Sequence, residues 1–458
     1  MTPAAPRGVL LPLALAQFIC SFAGSNMNVM INDISVDLGT TVQGVQVAIT
    51  LFLLVMAALM IPGGKLADRY GRKRCFLAGL LVYGVGAVAS AIAPGLGVLI
   101  LGNSILEGIG TALLIPPVYI LTTLLFTETV ARAKAFGVIM AMGGVGAAAG
   151  PLIGGLITTA LTWRAAFLFQ AVVVLLIALL GRRIEDPLPP DPSAPFDISG
   201  AVLSAAGLIL IVSGIQAADN DLRLMALLLG LGAVLLTAFV LGIRAKERRG
   251  VEPLITTAMF ASRTANLGLI TQLLQWLLLI GTSFVVATYL QVVRGYNAVQ
   301  TGVIFTAATA GLLVSSLAAA RLARRRSQRT LIRTGFLTSV LGLGVLIALA
   351  DRSLNPWAFA PGLLLVGLGI GAMLTPSVTV VQSAFGADDQ GEISGLSRSA
   401  SNLGSALGTA VAGTILVADL TGHAYAMATI ALAGIGLAGF IVASLLPDQA
   451  GDTSRSTR

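Results

Sequence analysis

Few residues in this sequence are able to do chemistry, and one of them is out of place. The stretch "GNSILEGIGTAL" (102–113) sits inside a long apolar run and carries one glutamate, Glu107. No lysine or arginine stands between Arg74 and Arg132. A charge at the centre of a bilayer costs at least about 2.5–3.5 kcal/mol on insertion scales. A carboxyl kept there can take a proton from one side and release it to the other, or pair with a cationic ligand. Other chemistry is scarce. The single histidine, His423, lies far from any obvious nucleophile, so a histidine metal cluster and a Ser-His-Asp arrangement are both missing. The one Gly-Lys pair, at 64–65, is followed by Leu66, so the phosphate-cradling G-x-x-x-x-G-K-[ST] is absent and ATP-driven transport is not expected. Cys20 and Cys75 imply no disulfide framework. No enzyme, no cofactor and no metal are expected.

The elements that must position Glu107 follow from composition. Of 458 residues, 56% are hydrophobic and 10% are charged. Soluble domains carry about 25% charged residues. The apolar runs are long enough for membrane-spanning helices rather than the strands of a barrel. Fourteen runs are readable, near 9–31, 45–62, 75–93, 97–119, 134–157, 165–181, 198–218, 223–242, 265–289, 298–320, 332–350, 355–380, 397–417 and 424–446. Glu107 falls ten residues into the fourth, about 15 Å deep at 1.5 Å per residue and near the midplane of a core about 30 Å thick. It is the only one of twenty acidic residues placed so deep.

Charge sets the expected sidedness. With both termini in the cytoplasm, only Arg164, Arg223, Arg294 and Arg352 of the 28 basic residues lie outside. The net charge of +8 therefore reflects membrane topology, and nucleic acid is not an expected partner. Two linkers, 182–197 and 244–254, bracket the pair of spans at 198–242. The domains expected are a six-helix half at 1–183, linkers and an inserted helix pair at 184–262, and a second six-helix half at 263–458.

The halves repeat. Gly137, Gly146, Gly150 and Gly155 match Gly395, Gly404, Gly408 and Gly413 at an offset of 258. The stretch 64–79 aligns to 320–335, and "GIG" at 108–110 recurs at 369–371. On that alignment the counterpart of Glu107 is Leu368, so the helix itself does not demand an acid. Parallel six-span halves around a site between them describe one transporter architecture.

"GGKLADRYGRKR" (63–74) resembles the signature loop of the major facilitator superfamily. It reads as a tight cytoplasmic turn in which Gly64 and Gly71 permit close backbone approach, Arg69 and Arg72 supply charge, and Asp68 faces a helix N-terminus or an arginine of the other half. Gly137, Gly146, Gly150, Pro151, Gly154 and Gly155 resemble the glycine-proline motif of exporters in that superfamily. Gly146, Gly150 and Gly154 give a smooth face for a close helix partner, and Pro151 bends the helix. "WRAAF" (163–167), "FDISG" (196–200), "YLQVVRGYNAVQTGV" (289–303) and "GEISGLSRSASNLGSALG" (391–408) are similar to the fourteen-span drug:proton antiporter family. That resemblance covers nearly the whole chain. It implies an all-α membrane fold of two parallel six-helix halves plus an inserted pair. It also implies export of small lipophilic or cationic compounds by proton antiport, as a monomer in a bacterial inner membrane. Three positions depart from the family pattern, one of them Glu107, which stands where a glutamine is typical. Ala23 stands where an aspartate is common in the first span, and Ser104 where an arginine is typical in the fourth.

The expected substrate and proton site is Glu107 with Asn26, Asn28, Asn103 and Gln275. Gln272, Gln291, Trp276, Phe284 and Tyr289 are further wall candidates. The partners are a small-molecule substrate, protons and the lipid bilayer. Alternatives are export of a specific endogenous metabolite or lipid with different coupling, and a transport-dead sensor or scaffold.

Overall fold

The computed structural model describes residues 7–126, 128–193, 196–218, 221–322, 326–350, 355–385 and 390–447. Arg352 and both chain ends lie outside them, so the sidedness assigned to those residues has no structural counterpart. Among the described residues, thirteen helices are long and apolar enough to cross a membrane, and one bent helix makes the fourteenth. They are α1 (Arg7–Asn26), α2 (Val42–Tyr70), α3 (Arg72–Ala91), α4 (Leu96–Leu125), α5 (Thr129–Ala160), α6 (Trp163–Gly181), α7 (Ile198–Gln216), α8 (Leu222–Arg248), α9 (Arg263–Val293), α10 (Ala298–Leu322), α11 (Gln328–Ala350), α12 (Trp357–Gln382), α13 (Gln390–Val417) and α14 (Gly422–Ser444).

The helix starts are chemically marked. Thr41, Thr162, Asp197, Asp221, Ser262 and Thr421 each accept a hydrogen bond from a backbone N–H of the first turn. Such caps satisfy amides that the helix leaves unpaired. Asp197 also receives Lys246 from the end of α8. Burial pushes its carboxyl up, but Lys246, the Gly200 N–H and Ser199 together hold it below the ordinary aspartate value.

The chain forms two compact units. The first holds residues 1–256 and 296–302, and the second holds 257–295 and 303–458. The inserted pair, α7 and α8, falls in the first unit, where α7 also packs on α2. Within the first unit α1 packs on α5, and α3 packs on α4 and α6. Within the second, α9 packs on α13, and α11 packs on α12 and α14.

These matching pairs show the repeat in detail. A Cβ at Gly146 would collide with the Phe18 carbonyl, and one at Gly404 with the Leu273 carbonyl. A Cβ at Gly79 would lie 2.8 Å from the Gly110 oxygen, and one at Gly335 2.6 Å from the Gly369 oxygen. Gly110 therefore corresponds to Gly369, not to Gly371 as the "GIG" alignment has it.

Candidate functional site

Glu107 ends a π-helical segment, Ile100–Glu107, set inside α4. Such wide turns are uncommon and often mark functional sites. The second unit shows what this one does. A Cβ at Gly86 on α3 would lie 2.6 Å from the Gly102 oxygen and 2.8 Å from the Glu107 nitrogen. At Gly342 on α11 the same two contacts are the Gly362 oxygen at 2.7 Å and the Val366 nitrogen at 2.8 Å. The paired groups are five residues apart in α4 and four apart in α12. The π segment thus carries one extra residue, and the counterpart of Glu107 is Val366 rather than Leu368. It is still apolar, so the fold places no demand for an acid there.

The same contacts give the level of Glu107 along α3. Glu107 is level with Gly86, five residues from the end of α3 at Ala91 and fourteen from its start at Arg72. At 1.5 Å per residue these are about 7.5 Å and 21 Å. Glu107 therefore sits about midway between the middle of α3 and the end that carries the 92–95 connection. Gly102 already meets Ser90 near the end of α3. The first turns of α4 stand beyond it.

The carboxyl of Glu107 is completely buried. Ser90 Oγ lies 3.5 Å from its Oε1, and the Tyr83 hydroxyl is the other polar neighbour. Tyr83 in turn donates to Gln170 Oε1 on α6 at 2.5 Å. The thiol of Cys20, on α1, lies beside Thr111 and near Glu107. Ser104 donates to the Ala48 carbonyl of α2 at 2.7 Å, so the place where the resembling family has an arginine is a helix–helix hydrogen bond. Tyr83, Ser90 and Gln170 were missed from the sequence. Each is a lone polar residue in an apolar run, and nothing in one-dimensional spacing shows that they converge.

Asn26, Asn28 and Asn103 are buried in the first unit, whereas Gln275 belongs to the second. Asn26 packs against α5, where a Cβ on Gly154 would lie 3.1 Å from the Asn26 Cβ. Gln275 accepts from Ser377 Oγ at 3.0 Å. Its neighbour Gln272 donates to the Ser377 carbonyl at 3.0 Å and accepts from Ser397 Oγ at 2.5 Å. These glutamines tie α9 to α12 and α13. Tyr289 stacks on Tyr425 at 4.3 Å and packs near Phe359, while Phe284 and Gln291 are buried and Trp276 is partly exposed.

The signature stretch 63–74 is not a loop throughout. α2 runs helical to Tyr70, and only Gly71, at φ +96°, breaks the chain. That left-handed conformation suits glycine. The close approach belongs to Gly63, whose Cβ would collide with the Ala112 carbonyl of α4. At Gly64 the nearest atom is 3.7 Å away. Asp68 pairs with Arg72 at 2.8 Å, one turn on. The N-terminus of α3 is held instead by Asp186, from the linker after α6, which accepts from the Arg72 and Lys73 amides at 2.7 and 3.3 Å. Asp191 N donates to the Asp68 carbonyl from the same linker. Lys65 reaches Glu252 in the linker after α8, and Arg69 lies over the Tyr70 ring. Substituting Asp186→Ala is expected to cost about 1 kcal/mol as a lost cap. A lowered melting temperature of the purified protein, largely restored in Asp186→Asn, checks it.

In α5, Gly146, Gly150 and Gly154 face α1, against Phe18, Phe22 with Ser25, and Asn26. Gly155 faces Ala298, and Pro151 offers its carbonyl to Gly302; both partners lie in the segment 296–302 of the same unit. Gly137 meets nothing within 4 Å. The helix bends by 42° between Lys134–Ala147 and Ala149–Ala160, within one turn of Pro151. A proline removes one i→i−4 bond and clashes with the preceding turn, which accounts for a kink there.

Residues 13–409 match the family model described as Major Facilitator Superfamily. The chain belongs to the Major Facilitator Superfamily. Its relatives in that superfamily include the puromycin resistance protein pur8 of Streptomyces alboniger, 32% identical over 98% of this chain and 92% of the relative. The multidrug efflux pump LfrA of Mycolicibacterium smegmatis is 29% identical over 81% of this chain and 73% of its own. The cephamycin export protein CmcT of Amycolatopsis lactamdurans is 29% identical over 96% and 92%. Among solved structures, a crystal structure of the peptide transporter POT in complex with sulfate superposes with a TM-score of 0.71. It covers 96% of this chain and 94% of its own at 18% identity, a likeness of fold alone. This Major Facilitator Superfamily chain is a multi-pass membrane protein and a transporter by family.

Proposed function

We propose that this protein is a secondary exporter of small, lipophilic or cationic compounds, driven by inward proton movement, with Glu107 as the proton-carrying group. One observation carries the coupling assignment. Glu107 is a fully buried carboxyl in the first unit, surrounded by hydroxyls, with an apolar counterpart in the repeat. Its enclosure suits a proton better than a bulky cation, which needs an open approach. The substrate class rests on relatives named for puromycin resistance, multidrug efflux and cephamycin export. Those names also favour the plasma membrane of a bacterium. The test is transport into inverted vesicles, with and without an imposed pH gradient, against a panel that includes puromycin and a cephamycin. Gradient-dependent uptake of at least one compound is expected. Uptake indifferent to the gradient removes the coupling, and no uptake of any compound removes the exporter.

The topology follows the charge bias, with the Gly71 end of α2 and the connection before α11, which holds Ser327, in the cytoplasm. Tyr70 is exposed, so a cysteine placed there is open to reagent. Tyr70→Cys and Ser327→Cys are expected to resist a membrane-impermeant maleimide in intact cells and to react after permeabilisation. Labelling from outside overturns this sidedness. On it, Glu107 lies in the outward half of the membrane, on the side from which a driving proton arrives.

A further inference from the structure

Around Glu107 there are more hydrogen-bonding groups than bonds. The Tyr83 hydroxyl spends its one proton on Gln170 Oε1 at 2.5 Å. Its oxygen can then only accept. Ser90 donates to the Gly86 carbonyl at 2.9 Å, leaving a long 3.5 Å approach to Glu107 Oε1. Glu107 Oε2 and Gln170 Nε2 are buried and have no hydrogen-bond partner. Buried groups left in this condition are uncommon and call for an explanation. The bundle does not impose the arrangement. By the same glycine contacts, Ser339 and Leu346 stand in the second unit where Tyr83 and Ser90 stand in the first, opposite Val366.

The bonds suit one protonation state of Glu107 and not the other. A neutral Glu107 can donate its acid proton to the Tyr83 oxygen. An ionised Glu107 needs donors, and the proton of Tyr83 is turned towards Gln170. We propose that Tyr83 and Gln170 form a two-state hydrogen-bond relay that passes the protonation of Glu107 from α4 through α3 to α6. When the proton of Glu107 leaves to water, Tyr83 turns its O–H to the carboxylate. The Gln170 amide then turns over, so that Nε2–H donates to the phenol oxygen. One proton leaves, and the phenol and the amide keep theirs. Both idle groups, Glu107 Oε2 and Gln170 Nε2, acquire a role in this exchange. Tyr83 and Gln170 are positioning residues, and Glu107 alone carries the proton.

The groups facing Glu107 from the packed helices are Tyr83 and Ser90 of α3, Cys20 of α1 and, through Tyr83, Gln170 of α6. Cys20 and Tyr83 are titratable, and none of the four is a cation. α2 presents Val55 to the adjoining Gly108. The relay is therefore the local means of answering a change of charge.

The inference rests on the reading of Glu107 as the proton carrier, and its test is independent of transport. Infrared difference spectra of the purified, reconstituted protein across a pH titration give the carboxylic acid band of Glu107, assigned by its loss in Glu107→Gln. Tyr83→Phe removes a donor to the carboxylate, so the proton is held more tightly and the midpoint moves to higher pH. Gln170→Leu frees the Tyr83 hydroxyl for the carboxylate, so the midpoint moves to lower pH. A hydrogen bond to a charged group corresponds to a change of about tenfold in proton affinity in each direction. The double variant is expected to follow Tyr83→Phe. A merely structural role would move both single variants the same way, or neither.

If Tyr83→Phe fails to fold, Gln170→Leu and Gln170→Met carry the test, because they leave no buried amide unpaired. Tyr83→Phe and Gln170→Leu moving in the same direction, a Gln170 variant moving to higher pH, or an unmoved midpoint while Glu107 still titrates overturns the relay alone. A Glu107 band that persists at every accessible pH overturns the relay and the coupling assignment together. Gradient-driven export by Glu107→Gln overturns the coupling and leaves the relay standing.

Discussion

Glu107→Gln is expected to abolish proton-driven export while leaving the protein folded and at its normal membrane level. Glutamine has nearly the same volume, and its amide can donate to the Tyr83 oxygen as the neutral acid would, so the packing around Gly86 and Gly108 is preserved. What it cannot do is gain or lose a proton. The rate of substrate movement under an imposed pH gradient should fall to the level of vesicles lacking the protein. Exchange of substrate across the membrane without a gradient should persist, because the alternating movement itself is not removed. A variant that still exports at the normal rate would make Glu107 a structural hydrogen-bonding group. The proton site would then have to lie elsewhere. Glu107→Asp is the companion measurement. It keeps the titration but withdraws the carboxyl by one methylene from Ser90 and Tyr83, so reduced but gradient-dependent export is expected.

The second large effect is at Gly146. Gly146→Val is expected to prevent stable assembly of the first unit. Its Cβ would meet the carbonyl of Phe18, a backbone atom within α1 that cannot turn aside as a side chain can. Overpacking of this kind costs typically about 1–3 kcal/mol, and a clash with helix backbone belongs at the upper end or beyond. Gly137→Val is the control from the same motif and the same helix. Nothing lies within 4 Å of a Cβ there, so near-normal yield and melting temperature are expected. Fluorescence-detected size-exclusion profiles of the two variants decide it. Equal behaviour would mean that the α1–α5 contact is looser than the structure shows.

The amino-acid sequence by itself determined the membrane class, the number of spans and the family. Each of these depends on composition, on the length of apolar runs and on motifs that are contiguous in the chain. A run of about 20 apolar residues has few alternatives to a helix in lipid, because its backbone groups must be satisfied within the segment. Span ends were less legible. α2 was read as 45–62 but runs from Val42 to Tyr70, because helical bonding continues through polar residues until Gly71 adopts a conformation that ends it. The lone acid in α4 was also visible, since a charge is conspicuous against an apolar background. Tertiary structure alone decided its surroundings. The π segment, the level of Glu107 against α3, and the meeting of Tyr83, Ser90 and Gln170 all arise from how three helices pack. The glycine motifs show the same division. Their periodicity was readable, but only packing decides that Gly63 rather than Gly64 touches α4, and that Gly137 touches nothing. Asp186 is the clearest case. It is 114 residues from the amide of Arg72 that it caps, and only the folded chain brings the two together.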